Sequence, residues 1–164
     1  MSFLVRPFGA DEADLYREIR LEALRLHPEA FGASFEDEAA RPLAFFEQRL
    51  SSNVIFGGFR GPELLGTVGY MPELGAKRAH KAHLWGMYVR AAARGSGLAR
   101  RLVETVLEYA QERVELVQLS VVAGNVGARR LYESLGFAAY GVEERALKVA
   151  GRYLDEVHMV KLLG

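Results

Sequence analysis

A short stretch of the sequence, Arg94-Gly95-Ser96-Gly97-Leu98-Ala99, has the residue types of an anion-binding turn. It joins a strand expected over residues 79–90 to a helix expected over 97–113, whose apolar residues recur every four positions. The first N–H groups of such a helix have no partner within it and, with the helix dipole, attract anions. Glycine lets the backbone approach a bulky diphosphate without a Cβ in the way. Because Arg94 and Arg100 add positive charge, the turn is expected to hold a phosphorylated ligand.

Two common phosphate-binding motifs do not fit this turn. A Walker loop ends in Gly-Lys-Ser/Thr, which the turn lacks. A dinucleotide fingerprint requires three spaced glycines and an acidic residue about 20 positions further on, and Arg100 stands at the third glycine position. Taken alone, the fragment leaves two alternatives: a tight turn that only begins a helix, or a site for another phosphorylated ligand such as a nucleotide.

The wider pattern resembles the GCN5-related N-acetyltransferase (GNAT) family. Its signature, Arg/Gln-x-x-Gly-x-Gly/Ala, is met by Arg94, Gly97 and Ala99. A second family segment is similar to the run from Asn125 through Tyr132 to Phe137. The specific motifs lie within residues 83–137, while weaker similarity touches nearly the whole chain. Many relatives have proline and an aromatic residue where this chain has alanines just before the turn.

The resemblance implies an acyl-CoA-dependent N-acyltransferase that moves an acetyl group from acetyl-CoA to a primary amine of a small molecule, peptide or protein. The cofactor contacts that it implies are Met87, Tyr88, Val89, Arg94, Gly95, Ser96, Gly97, Leu98, Ala99, Arg100 and Asn125. Direct attack of the amine is expected, because the chain has no cysteine to carry the acetyl group. The alternative is a non-catalytic acyl-CoA-binding sensor or regulatory module with the same fold, which would tolerate loss of Tyr132.

Two side chains are candidates for proton transfer. The resemblance places Tyr132 at the position of the general acid that protonates the departing thiolate, although a helical tyrosine considered alone more often packs on a core. His83 is the candidate base, since it alternates with Trp85 and Met87 and would share their face of the strand. Several relatives carry a carboxylate base within the segment that matches 79–90, and this chain has none there. A surface role for His83, with ordered water as the base, is the alternative.

The acceptor side is less defined by the sequence. Relatives use the segment that matches residues 27–41 as a substrate-facing loop, so Phe31 is a candidate substrate contact. Trp85 is a second one, unless it packs in the core. The acidic run at 36–38 is a weaker candidate for attracting a cationic amine, since such a run is more often the solvated first turn of a helix.

The elements that position these residues alternate between strands and helices, which indicates an α/β (α+β) layered fold. We expect a mixed, mostly antiparallel central sheet of about seven strands, flanked by helices on both faces. Hairpins are expected around Gly61 and through residues 150–151. A helix is expected from Asp11, as its N-cap, to residue 26. The resemblance further implies that the sheet splays between the strands at 79–90 and 115–123 to admit acetyl-CoA.

Composition limits the class of protein. The 164 residues fit one domain, residues 1–164, and are 50% apolar. The 21 basic and 21 acidic side chains balance, which argues against a nucleic-acid or membrane-surface partner. With no cysteine and no signal-peptide pattern in the first ten residues, a cytoplasmic protein without a metal is expected. A homodimer, if one forms, is expected through the closing hairpin at 137–162.

Overall fold

The structure, a computed structural model, describes residues 2–164, so only Met1 lies outside it. The strands are β1 (Leu4–Pro7), β2 (Val54–Arg60), β3 (Glu63–Pro72), β4 (Lys81–Val89), β5 (Leu116–Val122), β6 (Ala138–Val149) and β7 (Arg152–Leu162). The helices are α1 (Ala13–Leu26), α2 (Phe35–Ala39), α3 (Leu43–Ser52), α4 (Leu98–Gln111) and α5 (Val126–Ser134). None of the helices within residues 2–164 is long and apolar enough to cross a membrane.

The seven strands form one sheet in the order β1-β2-β3-β4-β5-β7-β6. Every neighbouring pair is antiparallel except β4 and β5, which run parallel. Their pairing covers only Lys81, Ala82 and His83 of β4, opposite residues 116–118 of β5. Beyond His83 the two strands separate. The expected mixed sheet and its splay between these two strands are therefore confirmed.

Helices cover both faces of the sheet, as expected. On one face, Leu98, Leu102 and Val106 of α4 are fully buried against the strands. On the other face, α1 and α3 pack through Tyr16, Ile19 and Phe46 in a second apolar cluster. Successive residues of β2, Ile55 and Phe56, belong to different clusters, because side chains alternate between the two faces of a strand.

The start of α1 differs from the expectation. Glu12, rather than Asp11, occupies the N-cap position, and its side chain does not cap the helix. The Glu12 carboxylate instead accepts hydrogen bonds from Arg6, at 2.8 and 2.9 Å, and from the Gly9 N–H at 2.7 Å. The acidic side chain therefore fastens the first strand to the turn ahead of the helix.

A bulge in β4 changes which residues share a face. Gly86 has a φ of 63°, and neither Gly86 nor Met87 takes part in the register with β3, where Trp85 pairs with Gly69 and Tyr88 with Thr67. The extra residue reverses the alternation, so Trp85 packs against the α1–α3 cluster and Met87 against the α4 cluster. The expectation that Met87 shares a face with His83 and Trp85 is wrong for this reason.

Candidate active site

The glycine turn before α4 presents unpaired backbone donors. Gly95 and Gly97 have φ angles of 75° and 90°, which residues with a side chain rarely adopt, and Gly97 is the N-cap of the helix. Within residues 2–164, the N–H groups of Gly95, Gly97, Ala99 and Arg100 have no acceptor. Their donors suit the oxygens of a diphosphate, so the turn fits the phosphate part of a coenzyme A ligand.

Three residues of the turn have structural roles of their own. The Ser96 hydroxyl hydrogen-bonds to the Ala93 carbonyl and accepts from the Leu98 N–H at 3.3 Å. The Leu98 side chain is fully buried beneath the sheet, so it does not face a ligand. Arg100 donates to the Ser134 hydroxyl at 3.1 Å, which ties α4 to α5.

A cleft of about 530 Å³ runs from this turn into the splay between β4 and β5. Seven of the expected cofactor residues line it: Met87, Tyr88, Val89, Arg94, Gly95, Ala99 and Asn125. The Asn125 side chain accepts from the Ala128 N–H at 3.3 Å and caps α5. Arg94 donates to His27 at 3.0 Å. We call this space the donor cleft.

Two tyrosines line the donor cleft in different states. The Tyr88 hydroxyl donates to Glu22 at 2.7 Å, and burial together with this bond raises its pKa to about 12. Tyr132 is 5% exposed, and its ring lies edge-on to Phe137 at 5.8 Å. Burial alone, with no contribution from a hydrogen bond or a charge, raises the pKa of the Tyr132 phenol well above its usual range. Tyr132 therefore stays protonated at neutral pH and can donate a proton inside the cleft.

A second cavity, of about 430 Å³, lies at the α1–α2–α3 side of the splay. Ala30 and Phe31 line both this cavity and the donor cleft, so the two spaces meet at that loop. His83 and Trp85 also line it. We call this space the acceptor cavity. It brings together three of the residues that sequence reasoning assigned to the acceptor side, while Tyr132 lies across the splay.

His83 has a carboxylate partner that the sequence reasoning did not identify. Its Nε2 donates to Glu73 Oε1 at 2.8 Å, and Glu73 stands just after β3, beside the first residues of β4. This hydrogen bond is the largest cause of the lowered pKa of the Glu73 carboxyl. The pair resembles the carboxylate–imidazole arrangement that orients a histidine for proton transfer.

Glu156 of β7 is a further carboxylate of the acceptor cavity that sequence reasoning missed as a site residue. Burial, followed by the charge of Glu143, raises its pKa, and His158 opposes this rise. Ser120, opposite His158 in the register, also lines the cavity, and its hydroxyl lies 2.8 Å from His158 Nδ1. The position of Glu156 in the cavity could have been found from the alternation of side chains along β7 combined with the pairing of β7 to β5. A carboxylate thus reaches the cavity from β7 although β4 carries none.

The acidic run contributes one residue to the acceptor cavity, and its charge is neutralised. Glu38 accepts from Arg20 at 3.0 and 3.1 Å and from Arg49 at 3.0 and 3.3 Å. Burial opposes ionisation of Glu38, but the hydrogen bonds from Arg20 and then Arg49 outweigh it and hold its pKa below the usual range. Two guanidinium groups on one carboxylate leave a net positive charge. The expectation that this run attracts a cation is therefore not supported by the charge around Glu38.

Comparison with known proteins identifies the family. The model of the acetyltransferase (GNAT) family matches residues 16–137, which is well over half of the chain. The chain belongs to the acetyltransferase (GNAT) family. It is accordingly an acyl-CoA-dependent N-acyltransferase, and the resemblance inferred from Arg94, Gly97 and Tyr132 is confirmed at the level of the family.

Individual GNAT relatives support the same assignment. An N-alpha-acetyltransferase, RimI of Mycobacterium tuberculosis, is 33% identical over 112 residues, covering 67% of this chain and 69% of that protein. A GNAT acetyltransferase from Streptococcus pneumoniae superposes with a TM-score of 0.88 at 22% identity, over 99% of this chain and 100% of the other. The yncA protein of Salmonella typhimurium, solved with its cofactor acetyl-CoA, superposes with a TM-score of 0.82 at 20% identity, over 100% of this chain and 95% of the other. The last two likenesses establish the fold.

Proposed function

We propose that this GNAT protein transfers an acetyl group from acetyl-CoA, bound in the donor cleft, to a primary amine bound in the acceptor cavity. The observation that carries the proposal is the junction of the two spaces. Gly95 and Ala99, with their unpaired N–H groups, line the donor cleft together with Tyr132, whereas His83 and Glu156 line the acceptor cavity. Both open on the splay of β4 and β5, with Phe31 at the boundary. The presence of acetyl-CoA in the yncA structure supports the choice of donor.

The chain would hold the donor through its glycine turn and β4. The free N–H groups of Gly95, Gly97, Ala99 and Arg100 would bind the diphosphate, with Arg94 nearby. Acetyl-CoA itself supplies the acetyl group as an activated thioester. The bulge leaves the backbone at Met87 outside the pairing with β3, so its N–H is the donor proposed to steady the negative charge that develops on the acetyl oxygen.

The acceptor amine must lose a proton before it can attack. A lysine-like amine with a pKa of about 10.4 is neutral in only roughly one molecule in 2,500 at pH 7. We assign His83, oriented by Glu73, as the base, and Glu156 as the carboxylate that receives the charged amine. Tyr132 would then protonate the departing thiolate, because burial keeps its phenol protonated.

Substitution of Tyr132 by phenylalanine tests the assignment of the acid. The Tyr132→Phe change removes only the hydroxyl and keeps the ring that packs on Phe137, so kcat for thiol release is expected to fall by roughly 10²- to 10⁴-fold. Acetyl-CoA affinity, measured by calorimetry, is expected to change little. Tyr153→Phe is the matched control, since Tyr153 is exposed on β7 and lines neither space. A Tyr132→Phe enzyme with the kcat of the parent would contradict the role of the phenol.

The names of two relatives suggest one acceptor to test. RimI is an N-alpha-acetyltransferase, and a Brucella melitensis protein of similar fold, 24% identical with a TM-score of 0.81, is a ribosomal-protein-alanine N-acetyltransferase. A peptide that begins with alanine therefore belongs in the acceptor panel, beside small amines. Binding of acetyl-CoA without thiol release from any amine would favour the sensor alternative.

We also propose that a homodimer, if formed, pairs through the hairpin β6–β7. Strand β6 is at the edge of the sheet and exposes Tyr140 and Val142. An unpaired edge of this kind offers backbone groups and apolar side chains to a second copy. Light scattering of the purified protein and of its Val142→Lys variant measures the molar mass in solution, and we expect the substitution to convert a dimer into a monomer. The cytoplasmic location also stays a proposal, supported by the absence of cysteine.

A further inference from the structure

The acceptor cavity contains more positive charge than an amine-binding site requires. Arg20 of α1 and Arg49 of α3 line it, and both are paired with the same carboxylate, Glu38 of α2. The side chains of Arg20 and Glu38 are 6% and 7% exposed, and that of Arg49 is 17% exposed. A buried cluster with one uncompensated positive charge is costly unless a further anion pairs with it.

Each arginine keeps a nitrogen that no residue of the described chain uses. Arg20 bonds Glu38 through Nε and Nη2, so its Nη1 is unpaired, and Arg49 bonds through Nη1 and Nη2, so its Nε is unpaired. Neither nitrogen is sealed from solvent, because the buried unpartnered side-chain atoms of residues 2–164 belong to Asn53, Trp85 and Arg129. Arg20 Nη1 lies 3.4 Å from the point where a Cβ on Gly86 would sit, beside the β4 bulge.

Both arginines fasten helices through Glu38, since Arg20 joins α1 to α2 and Arg49 joins α3 to α2, but the second guanidinium leaves the cluster with one positive charge in excess. The bidentate pair between Arg20 and Glu38 already connects α1 to α2 and satisfies both carboxylate oxygens. Arg49 adds a second, longer pair to the same oxygens, with its guanidinium 5.0 Å from the centre of the Trp85 ring. A guanidinium beside a ring that lines the cavity can bind an anion without leaving its present contacts.

Glu156 gives the same cavity a region of opposite charge. It reaches the cavity from β7, whereas the arginines reach it from the helices that cover the sheet. The cavity therefore presents a carboxylate on its sheet side and a surplus guanidinium charge on its helix side. A ligand that carries an amine and an anion complements both regions, whereas a polyamine complements only the carboxylate.

We propose that the acceptor is a small zwitterionic amine, such as an amino acid, whose carboxylate or similar anionic group binds Arg20 and Arg49 while its amine lies towards Glu156. This inference rests on the proposed function of the acceptor cavity and specifies its substrate class. The cavity volume of about 430 Å³ lies within the range of small-molecule sites. A peptide N-terminus of neutral residues has no anion at this position.

Matched acceptors test the proposal. Thiol release with acetyl-CoA is measured for the common amino acids, for their α-amides, for spermidine and for a peptide that begins with alanine. At least one amino acid is expected to have a kcat/KM roughly 10- to 100-fold above that of its amide, which is the value of a charge-assisted hydrogen bond. The zwitterion proposal is overturned, with the proposed function intact, if spermidine or the peptide gives the fastest thiol release. It is also overturned if the α-amides release thiol as fast as the amino acids. If no amine of any charge releases thiol, the proposed function fails and this inference fails with it.

Arg49→Met then locates the anion site. The substitution keeps the bidentate pair of Arg20 and Glu38, so the fold is expected to persist, as checked by circular dichroism. The ratio of kcat/KM for the amino acid to that for its amide is expected to fall to within about threefold of unity, and Arg49→Lys to restore part of it. Arg41→Met, an exposed arginine outside the cavity, is the control and should leave the ratio unchanged. An unchanged ratio in Arg49→Met would overturn the assignment.

Discussion

Substitution of Gly69 by alanine should disturb the acceptor cavity and leave the donor cleft unchanged. A Cβ on Gly69 would lie 2.5 Å from Trp85 Nε1 and 2.7 Å from Cε2, closer than real contacts allow. Gly69 pairs with Trp85 in the register of β3 and β4, so the backbone cannot move away without disrupting the ladder. The rigid indole must therefore shift, and it lines the acceptor cavity.

The expected magnitude follows from this contact. Overpacking of a well-packed site costs about 1–3 kcal/mol in the free energy of unfolding. At roughly 2–4 °C per kcal/mol for a chain of this size, Tm should fall by about 2–12 °C. Trp85 is the only tryptophan of the chain, so its fluorescence spectrum reports the displacement of the indole directly. The KM of the best acceptor amine is expected to rise several-fold, with the acetyl-CoA Kd within about twofold of the parent.

Gly57→Ala provides the control for lost stability. A Cβ there would meet Phe59 at 2.8 Å and Phe8 at 2.9 Å, in the same apolar cluster but away from both spaces. It should lower Tm to a similar extent with no change in acceptor KM. Two results would contradict the placement of Trp85 in the acceptor cavity. One is a Gly69→Ala variant whose Trp85 spectrum shifts while its acceptor KM stays at the parent value, and the other is an acetyl-CoA Kd that rises as much as the acceptor KM.

Two further predictions concern the glycine turn and the first strand. Gly97→Ala places a side chain at a φ of 90° with nothing within 4 Å of its Cβ, so the cost is conformational, about 1–2 kcal/mol. Acetyl-CoA Kd should rise roughly 5- to 30-fold if the turn relaxes, whereas Gly61→Ala, equally open at a φ of 58°, should lose similar stability with unchanged Kd. Hydrogen bonds from Arg6 and then from the Gly9 N–H lower the pKa of Glu12 to about 2 from its usual 4.5, so its stabilisation is complete above pH 4.5 and is lost as the pH falls towards 2. Glu12→Gln should therefore lower the free energy of unfolding by about 1 kcal/mol at pH 7 and by progressively less between pH 4.5 and 2 in denaturant titrations. A Gly61→Ala variant whose acetyl-CoA Kd rises as much as that of Gly97→Ala would contradict the first explanation. A difference in the free energy of unfolding between Glu12→Gln and the parent that persists at pH 2 would contradict the second.

The turn and the helix ends that line the donor cleft could be predicted from the sequence, because the residues that form each of them are close together in the chain. The turn from Arg94 to Ala99 depends on a local strand-to-helix transition, and the Asn125 side chain caps the next helix by accepting from the N–H of nearby Ala128. Strand alternation and helix periodicity likewise predicted the sheet, its hairpins and the covering helices. These features need no knowledge of contacts between distant segments.

The acceptor side could not be predicted in the same way, because it forms from distant segments. Arg20, Glu38 and Arg49 come from three helices, and Glu156 comes from the last strand. A glycine within a strand indicates a bulge, and β4 has one at Gly86, but the expected alternation of His83, Trp85 and Met87 did not take it into account, so Met87 lies on the opposite face from Trp85. The acidic run at residues 36–38 was misread for the same reason, since its charge depends on two arginines far away in sequence.

Acetyl transfer from acetyl-CoA bound at the glycine turn is measured by calorimetric titration of the protein with acetyl-CoA, followed by thiol release with the amine panel in the same preparation. We expect saturable binding of one acetyl-CoA per chain and thiol release with at least one amine. Absence of acetyl-CoA binding would contradict the assignment of the glycine turn as the acetyl-CoA site.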